Sequence, residues 1–530
     1  MIKRTLLLSS VTLFLFCQYS QKHNALSITN TSLGKYTHLI ARALSTDNNH
    51  LAFVSKDTNG QFLVYDGKAK PSKYKIHEIL LSPDGKHLAY SYSDSAGHIH
   101  IVKDSVDLSG PFADICAGTM EFSNDSKHLA YGAIDSNRND IQQVIMVDSN
   151  EYYRSSQHNE SIMTCNVGSK TQTIFFNQNC NKIAFVVQKG NLQHLVIIDF
   201  KARIIDTCRQ YNQIHFDMNP FCNDNRTIAY YAISNDEFYA IVGDQQLGPY
   251  KSYPSNLKFN SDCNKFAFIV DNFQGKLIVR NGNIEPTQYP LSSSAFDIYF
   301  SPDFMHYAYE SDCDKGYFIV YDRQRYKNSD CYDHVGGPIM FSGNSQRFAF
   351  TAQKQGKWFV VVDKEKGKSY DFVEWSLNSL FSPDSKHFIY IAQEGKYKMV
   401  ILDNKESPKY DNVGFSNQVF SSDGAHYAYC IEKRKKKHVL IDGKEGPGFE
   451  DVAINSIKFS PNNNHIAYVA TINKQQIIVV DNERTQQYDN FVVSLINDSY
   501  SYFSFIDSSL ISAIASKNSE FFKLTIHIPD

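Results

Sequence analysis

Five consecutive cations, Lys433, Arg434, Lys435, Lys436 and Lys437, form the densest run of charge in the chain. Such a run can hold an anionic partner: lipid head groups, polysaccharide or nucleic acid. The plainer reading is a solvated hairpin tip. These five are the candidate binding residues. Seven histidines, His50, His87, His128, His306, His387, His426 and His465, invite a metal reading. They recur at one position of a repeat, however, and equivalent positions on separate units lie far apart. His98 and His100 share one face of a strand, with no third ligand near them in sequence. The Ser-Pro-Asp and Tyr-Asp carboxylates recur in unit after unit, which suits turn geometry better than catalysis. There is no Gly-x-Ser-x-Gly, no P-loop, no His-Glu-x-x-His and no Gly-x-Gly-x-x-Gly. The sialidase Asp box is not matched either, since Gly85 and Gly424 follow the Asp directly and no Trp closes the motif. No catalytic residue, metal or cofactor is therefore expected.

The elements that carry these residues repeat. Phe381-Ser-Pro-Asp-Ser-Lys-His-Phe-Ile-Tyr390 returns as Ser82-Pro-Asp-Gly-Lys-His-Leu-Ala-Tyr90, Phe122-Ser-Asn-Asp-Ser-Lys-His-Leu-Ala-Tyr131, Phe300-Ser-Pro-Asp-Phe-Met-His-Tyr-Ala-Tyr309, Phe420-Ser-Ser-Asp-Gly-Ala-His-Tyr-Ala-Tyr429 and Phe459-Ser-Pro-Asn-Asn-Asn-His-Ile-Ala-Tyr468. With weaker copies the motif occurs about twelve times, at steps of roughly 40 residues. The turn Asp or Asn can close an Asx turn on its own backbone. A strand follows, then a polar hairpin tip, then a strongly apolar strand such as Trp358-Phe-Val-Val-Val362. That strand ends at Asp66-Gly67, Asn281-Gly282, Asp442-Gly443 or a relative, residues that tolerate the positive φ of a type I′ turn. A third strand carrying Tyr332-Asp333, Tyr370-Asp371, Tyr410-Asp411 or Tyr488-Asp489 is expected next, and a fourth leads back to Phe-Ser. The central strands are apolar at consecutive positions, so both faces of each sheet must be covered. Four-stranded antiparallel units stacked radially provide that cover. The fold class is all-β, a β-propeller of about twelve four-stranded blades.

The Ser-Pro-Asp-Gly-Lys-x-Leu-Ala-Tyr pattern resembles the WD40-like repeat of the TolB-type propellers, and the resemblance runs from about Gly34 onward. It implies an extracytoplasmic protein that binds through a propeller face or the central channel. The chain departs from the pattern in having about twice the blades and no Trp-Asp dipeptide. Two six-bladed rings, 34–275 and 276–530, are the simplest arrangement, because rings of four to eight blades are usual. A second arrangement follows from Gly34-Lys-Tyr-Thr-His-Leu39, which could complete the last blade. That would bring the two ends of the chain together in one discontinuous or very large ring.

Composition sets the remaining limits. The chain has 37 Phe and 33 Tyr but 2 Trp, which favours strands. Its net charge of −3 argues against bulk nucleic-acid recognition. Residues 1–25 read as a signal peptide: Lys3 and Arg4, then an apolar stretch from Thr5 to Phe16 that is too short to span a bilayer. Cys17 suggests a lipoprotein, but Phe16 stands where a small residue is usual. No membrane span is expected in the mature chain. The nine later cysteines show no CxxC, and most read as small buried side chains. The segment from Tyr152 to Cys165 reads as an inserted loop, a second candidate for binding. The function expected is an exported, non-catalytic module for a protein or glycan partner. An enzyme with a site at the channel mouth, or a structural envelope protein, is the alternative.

Overall fold

The protein is described by a computed structural model covering residues 26–529 apart from 37–38, 58–59, 117–118, 136–140, 156–158, 164, 168–169, 173, 218, 273–274, 286–288, 290, 293–297, 327–330, 375–380 and 497–498. The signal-peptide reading and Cys17 lie outside these residues. No described helix is long and apolar enough to cross a membrane.

Twelve antiparallel sheets of four principal strands follow one another along the chain. Blade 9 shows the pattern. Its inner strand is Phe372–Glu374, its second Ile389–Glu394, its third Tyr397–Leu402 and its outer strand Lys405–Glu406. Ile389, Tyr390, Ile391 and Ala392 are all buried, as are Met399, Val400 and Ile401. This is the unbroken apolar run read from the sequence, now covered on both faces. The first strands of neighbouring blades approach one another, as Leu39–Leu44 does Lys75–Leu81, which places them towards the axis. The inner-to-second and third-to-outer turns share one rim of the ring, the turn face. The hairpin tips between second and third strands share the other, the tip face.

Blade boundaries fall differently from the expectation. Tyr410 makes a single bridge to Lys398 on the outer edge of blade 9, and Asp411 already begins the crossing to blade 10. Tyr332, Tyr370 and Tyr488 make the same bridge. The reason is a division of work. The Tyr ring enters the buried cluster between two blades, while the Asp carboxylate accepts a backbone N–H from the next hairpin tip. Asp371 takes that of Gly395 (2.6 Å), Asp411 that of Arg434 (2.9 Å) and Asp489 that of Asn518 (2.7 Å). The pair is a crossover staple and not a third strand.

The Tyr152 to Cys165 segment is mostly regular. Asn150–Arg154 is the outer strand of blade 3 and Glu160–Met163 begins the inner strand of blade 4. The added element is a small hairpin, Cys165–Val167 with Lys170–Gln172, set into that inner strand. Blade 12 carries its counterpart, Ser494–Ile496 with Ser499–Ser501.

Buried clusters join each blade to its successor. Ile269, Ile278, Leu291, Ile298 and Tyr309 fill the joint between blades 6 and 7, so the packing has no break near residue 275. Blade 12 is completed by the N-terminal strand Ser27–Lys35, which pairs with Glu520–His527. That strand then packs Leu33 among Leu51, Phe53, Val64, Val492 and Ile514, joining blade 12 to blade 1. Among the described residues the buried joints therefore run in one closed circuit of twelve blades, with the first and last described strands in one sheet. The completing strand lies upstream of the segment read as Gly34 to Leu39, and it forms the outer edge.

Leu33→Ala tests this joint. Leu33 is 2% exposed, and truncation of such a core leucine costs about 2–5 kcal/mol. Urea unfolding is expected to show a loss of that size, whereas a loss below about 1 kcal/mol would mean that closure does not depend on this contact.

Candidate functional site

The turn face carries the recurring histidines. In blade 9, Ser382 Oγ donates to Asp384 (2.5 Å) and accepts from the His387 N–H (2.9 Å). His387 Nδ1 lies 2.6 Å from Asp403 Oδ2, and Asp403 Oδ1 accepts from the Phe388 N–H. Asp403 and Asn404 hold the positive φ expected of them. The same His–Asp contact recurs at His50–Asp66, His87–Asp104, His128–Asp148, His306–Asp322, His426–Asp442 and His465–Asp481. Blade 8 substitutes Arg347, whose Nε donates to Asp363 at 2.7 Å. Each histidine thus clips its inner turn to its outer turn. The serine hydroxyl and the imidazole serve different carboxylates, so they do not form a nucleophile–base pair.

The turns are also tied around the ring. Their fourth residue has positive φ and reaches the preceding blade. Ser126 Oγ accepts from the Asp84 N–H (3.0 Å), Ser345 Oγ from that of Asp303 (3.1 Å) and Ser385 Oγ from that of Asn344 (3.1 Å). At Gly424 (φ +74) a Cβ would stand 2.6 Å from Asp384 Oδ1, which requires glycine there. Between blades 5 and 6 the position is Cys263, disulfide-bonded to Cys222. With Asp224 these sulfurs form a compact group of metal-ligand type, but the disulfide leaves no thiolate to bind an ion. A second disulfide, Cys313–Cys331, ties the blade 7 hairpin tip to its crossover. Cys180 and Cys430 are buried free thiols, and Cys116 and Cys208 are half-buried.

His98 and His100 flank a carboxylate instead of a metal-sized gap. His98 Nδ1 and His100 Nε2 each lie 3.5 Å from Asp94, and His100 Nδ1 lies 3.0 Å from Asp107. A serine hydroxyl also meets a histidine ring where His77 Nε2 lies 3.0 Å from Ser93 Oγ, with no carboxylate hydrogen-bonded to His77 among the described residues to orient the ring.

On the tip face, Lys433 to Lys437 form the blade 10 hairpin tip, as the sequence suggested. Lys433 opposes Lys436 across it, and Arg434 and Lys435 hold positive φ. The outer two charges are neutralised within the fold: Lys433 Nζ by Glu445 (2.9 Å) and Lys437 Nζ by Asp451 (2.5 Å). Arg434, Lys435 and Lys436 are exposed, with no acidic side chain paired to them among the described residues. The structure therefore splits the five candidates into two braces and three outward charges.

Sequence reasoning missed two lysines. Most blades have an apolar or aromatic residue before the Phe-Ser step, such as Leu80, Tyr299, Met340 or Val419, but blades 6 and 11 have Lys258 and Lys458. Lys258 lines a cavity of about 480 Å³ shared by blades 5 to 8, and Lys458 one of about 530 Å³ shared by blades 10 to 12. Lys458 Nζ donates to Ser501 Oγ (2.8 Å) and the Phe503 carbonyl (3.1 Å). Lys258 Nζ donates to the corresponding carbonyl, Ile298 (2.9 Å). Burial pushes the Lys458 ammonium below its ordinary pKa. The signal was a charge at an apolar repeat position, but its meaning needed the cavity.

No protein-family model and no curated protein matches the sequence. Solved structures that align with the chain include a eukaryotic initiation factor (10% identity, 64% of this chain and 91% of that one, TM-score 0.30). An oligogalacturonate lyase from Vibrio parahaemolyticus is another (13%, 62% and 95%, TM-score 0.25), as is TolB from Acinetobacter baumannii (11%, 52% and 74%, TM-score 0.21). Likeness of this degree assigns no activity. The propeller fold implied by the resemblance stands on the blades themselves, and no family model adds membership of the TolB-type repeat family.

The turn network makes a pH prediction. The Ser382 hydroxyl above all holds the Asp384 carboxyl at about 2, and Ser421 likewise lowers that of Asp423. A carboxyl more acidic in the folded chain stabilises fully above its ordinary value near 4, and this contribution disappears as the pH falls towards 2. Asp384→Asn is expected to lower the melting temperature at pH 7 by a few degrees and to flatten its decline between pH 4 and 2. Melting curves across that range check it; superimposable profiles would remove the carboxylate from the account.

Proposed function

We propose that this chain is an exported, non-catalytic ring that engages an anionic protein or glycan surface through its tip face. The observation that supports this reading is the blade 10 tip, where Arg434, Lys435 and Lys436 project on a turn held from both sides. Asp411 fixes its backbone, and Glu445 and Asp451 fix its flanking lysines. Pre-ordering of this kind lowers the entropic cost of engaging a partner. Each blade stacks on the next, so the tip sits on a rigid frame, as binding loops commonly do. The leader reading of residues 1–25 supports export.

Immobilised dextran sulfate is the probe. The triple variant Arg434→Ser, Lys435→Ser, Lys436→Ser is expected to elute at clearly lower salt than the parent. The control Lys433→Ser, Lys437→Ser removes braced charges and should shift elution less. Equal shifts in both variants would mean bulk charge alone is read, and no shift in either would move the binding face elsewhere.

A further inference from the structure

We propose that the cavity around Lys458 is a binding site for a small hydroxylated carboxylate, a molecule of the sugar-acid class. The cavity lies at the inner-strand ends of blades 10, 11 and 12, on the turn face, and so is separate from the tip just discussed. Among its lining residues Lys458 is the one charged group, and no Asp or Glu is present. An ammonium has three donors. Two are committed to Ser501 and the Phe503 carbonyl, and Lys458 has no further hydrogen-bond or ion-pair partner among the described residues. The charge is therefore half-buried, held in place by two neutral acceptors, and without a counter-ion.

Restoring a negative partner is what such a site lacks. The rest of the lining specifies which anion. Asn455, Asn463 and Ser504 offer amide and hydroxyl groups suited to ligand hydroxyls, while Phe420 and Phe505 supply flat apolar walls. One ammonium with neutral donors suits a monoanion, whereas phosphate recognition usually draws on arginine forks or clustered backbone N–H groups. The volume of about 530 Å³ fits a small-molecule ligand. The support is also keyed to the ring closure. Ser501 and Ser504 accept from the Asn48 side-chain amide of blade 1 at 3.1 Å and 3.0 Å, which fixes the edge of the cavity. Asn48 is fully buried, and its amide oxygen has no hydrogen-bond partner among the described residues. A second cavity, around Lys258 five blades away, also has a lysine and no acidic residue in its lining.

Equilibrium dialysis with D-gluconate, and with D-sorbitol as the uncharged analogue, tests the proposal on the full chain. Gluconate is expected to bind saturably and sorbitol at least about tenfold more weakly, the loss typical of a missing charged hydrogen-bond partner. Lys458→Met, which keeps the aliphatic stem, should weaken gluconate about tenfold at this site, with Lys258→Met in the background to remove the second cavity. No gluconate binding by the parent, equal binding of both probes, or undiminished binding by the double variant would each overturn the proposal. Should Lys458→Met fail to fold, acetylation of the parent read by peptide mass spectrometry takes its place. Gluconate must slow modification of Lys458 relative to Lys435, and equal rates would overturn the proposal.

Discussion

The whole molecule depends on one constraint: each sheet is apolar on both faces, so no blade can be stable without a neighbour on either side. Leucine, valine and isoleucine at consecutive positions of the second and third strands leave no face for water. Stacking in a line would strand two end blades, each with an apolar face exposed. A closed ring removes both ends at once. The interaction that achieves it is the pairing of Ser27–Lys35 with Glu520–His527, followed by the entry of Leu33 into the joint between blades 12 and 1. Twelve such joints make the ring stable through local contacts that are nearly identical from one blade to the next.

Polar groups then divide between the two rims. On one, serine, aspartate and histidine close each turn on itself, and the fourth turn residue reaches back to the blade before. On the other, the aspartate of Tyr-Asp reaches forward to the hairpin tip of the blade ahead. Ties on the two rims run in opposite directions around the ring, so a blade is gripped from behind on one face and from in front on the other. Residues that break these rules stand out for this reason. The basic tip of blade 10 and the lysines of blades 6 and 11 are departures from this pattern.

Much of this was legible in the sequence, because strand periodicity and turn chemistry are local. The Ser-Pro-Asp turn, the Asp-Gly or Asp-Asn hairpin and the doubly buried strands all follow from neighbours within about ten residues. What was not legible involves groups brought together from afar. His387 and Asp403 are 16 residues apart, and each looked explicable alone, so their contact went unread. The Tyr-Asp pair was assigned to one strand because spacing cannot say that a tyrosine ends one sheet while the next residue starts another. The number of rings turns on whether Ile278 meets Tyr309 across the joint between blades 6 and 7, which no local pattern encodes. Lys258 and Lys458 were visible as exceptions, but only the cavities gave them a chemical role.

The strand that completes blade 12 has a consequence for the order of events in the life of the chain. Ser32 and Glu520, hydrogen-bonded across that sheet, are 488 residues apart. On the ribosome the strand at 27–35 emerges long before its partner at 520–527. Through most of synthesis Leu51, Phe53 and Val64 of blade 1 therefore lack Val492 and Ile514, the blade 12 side of their joint. Closing so long a loop costs little more than closing one half its length. Timing is the harder demand, since an early segment must be kept from other sheet edges until its partner strand arrives. A ring built this way is one in which completion is an event, not a gradual accretion of blades.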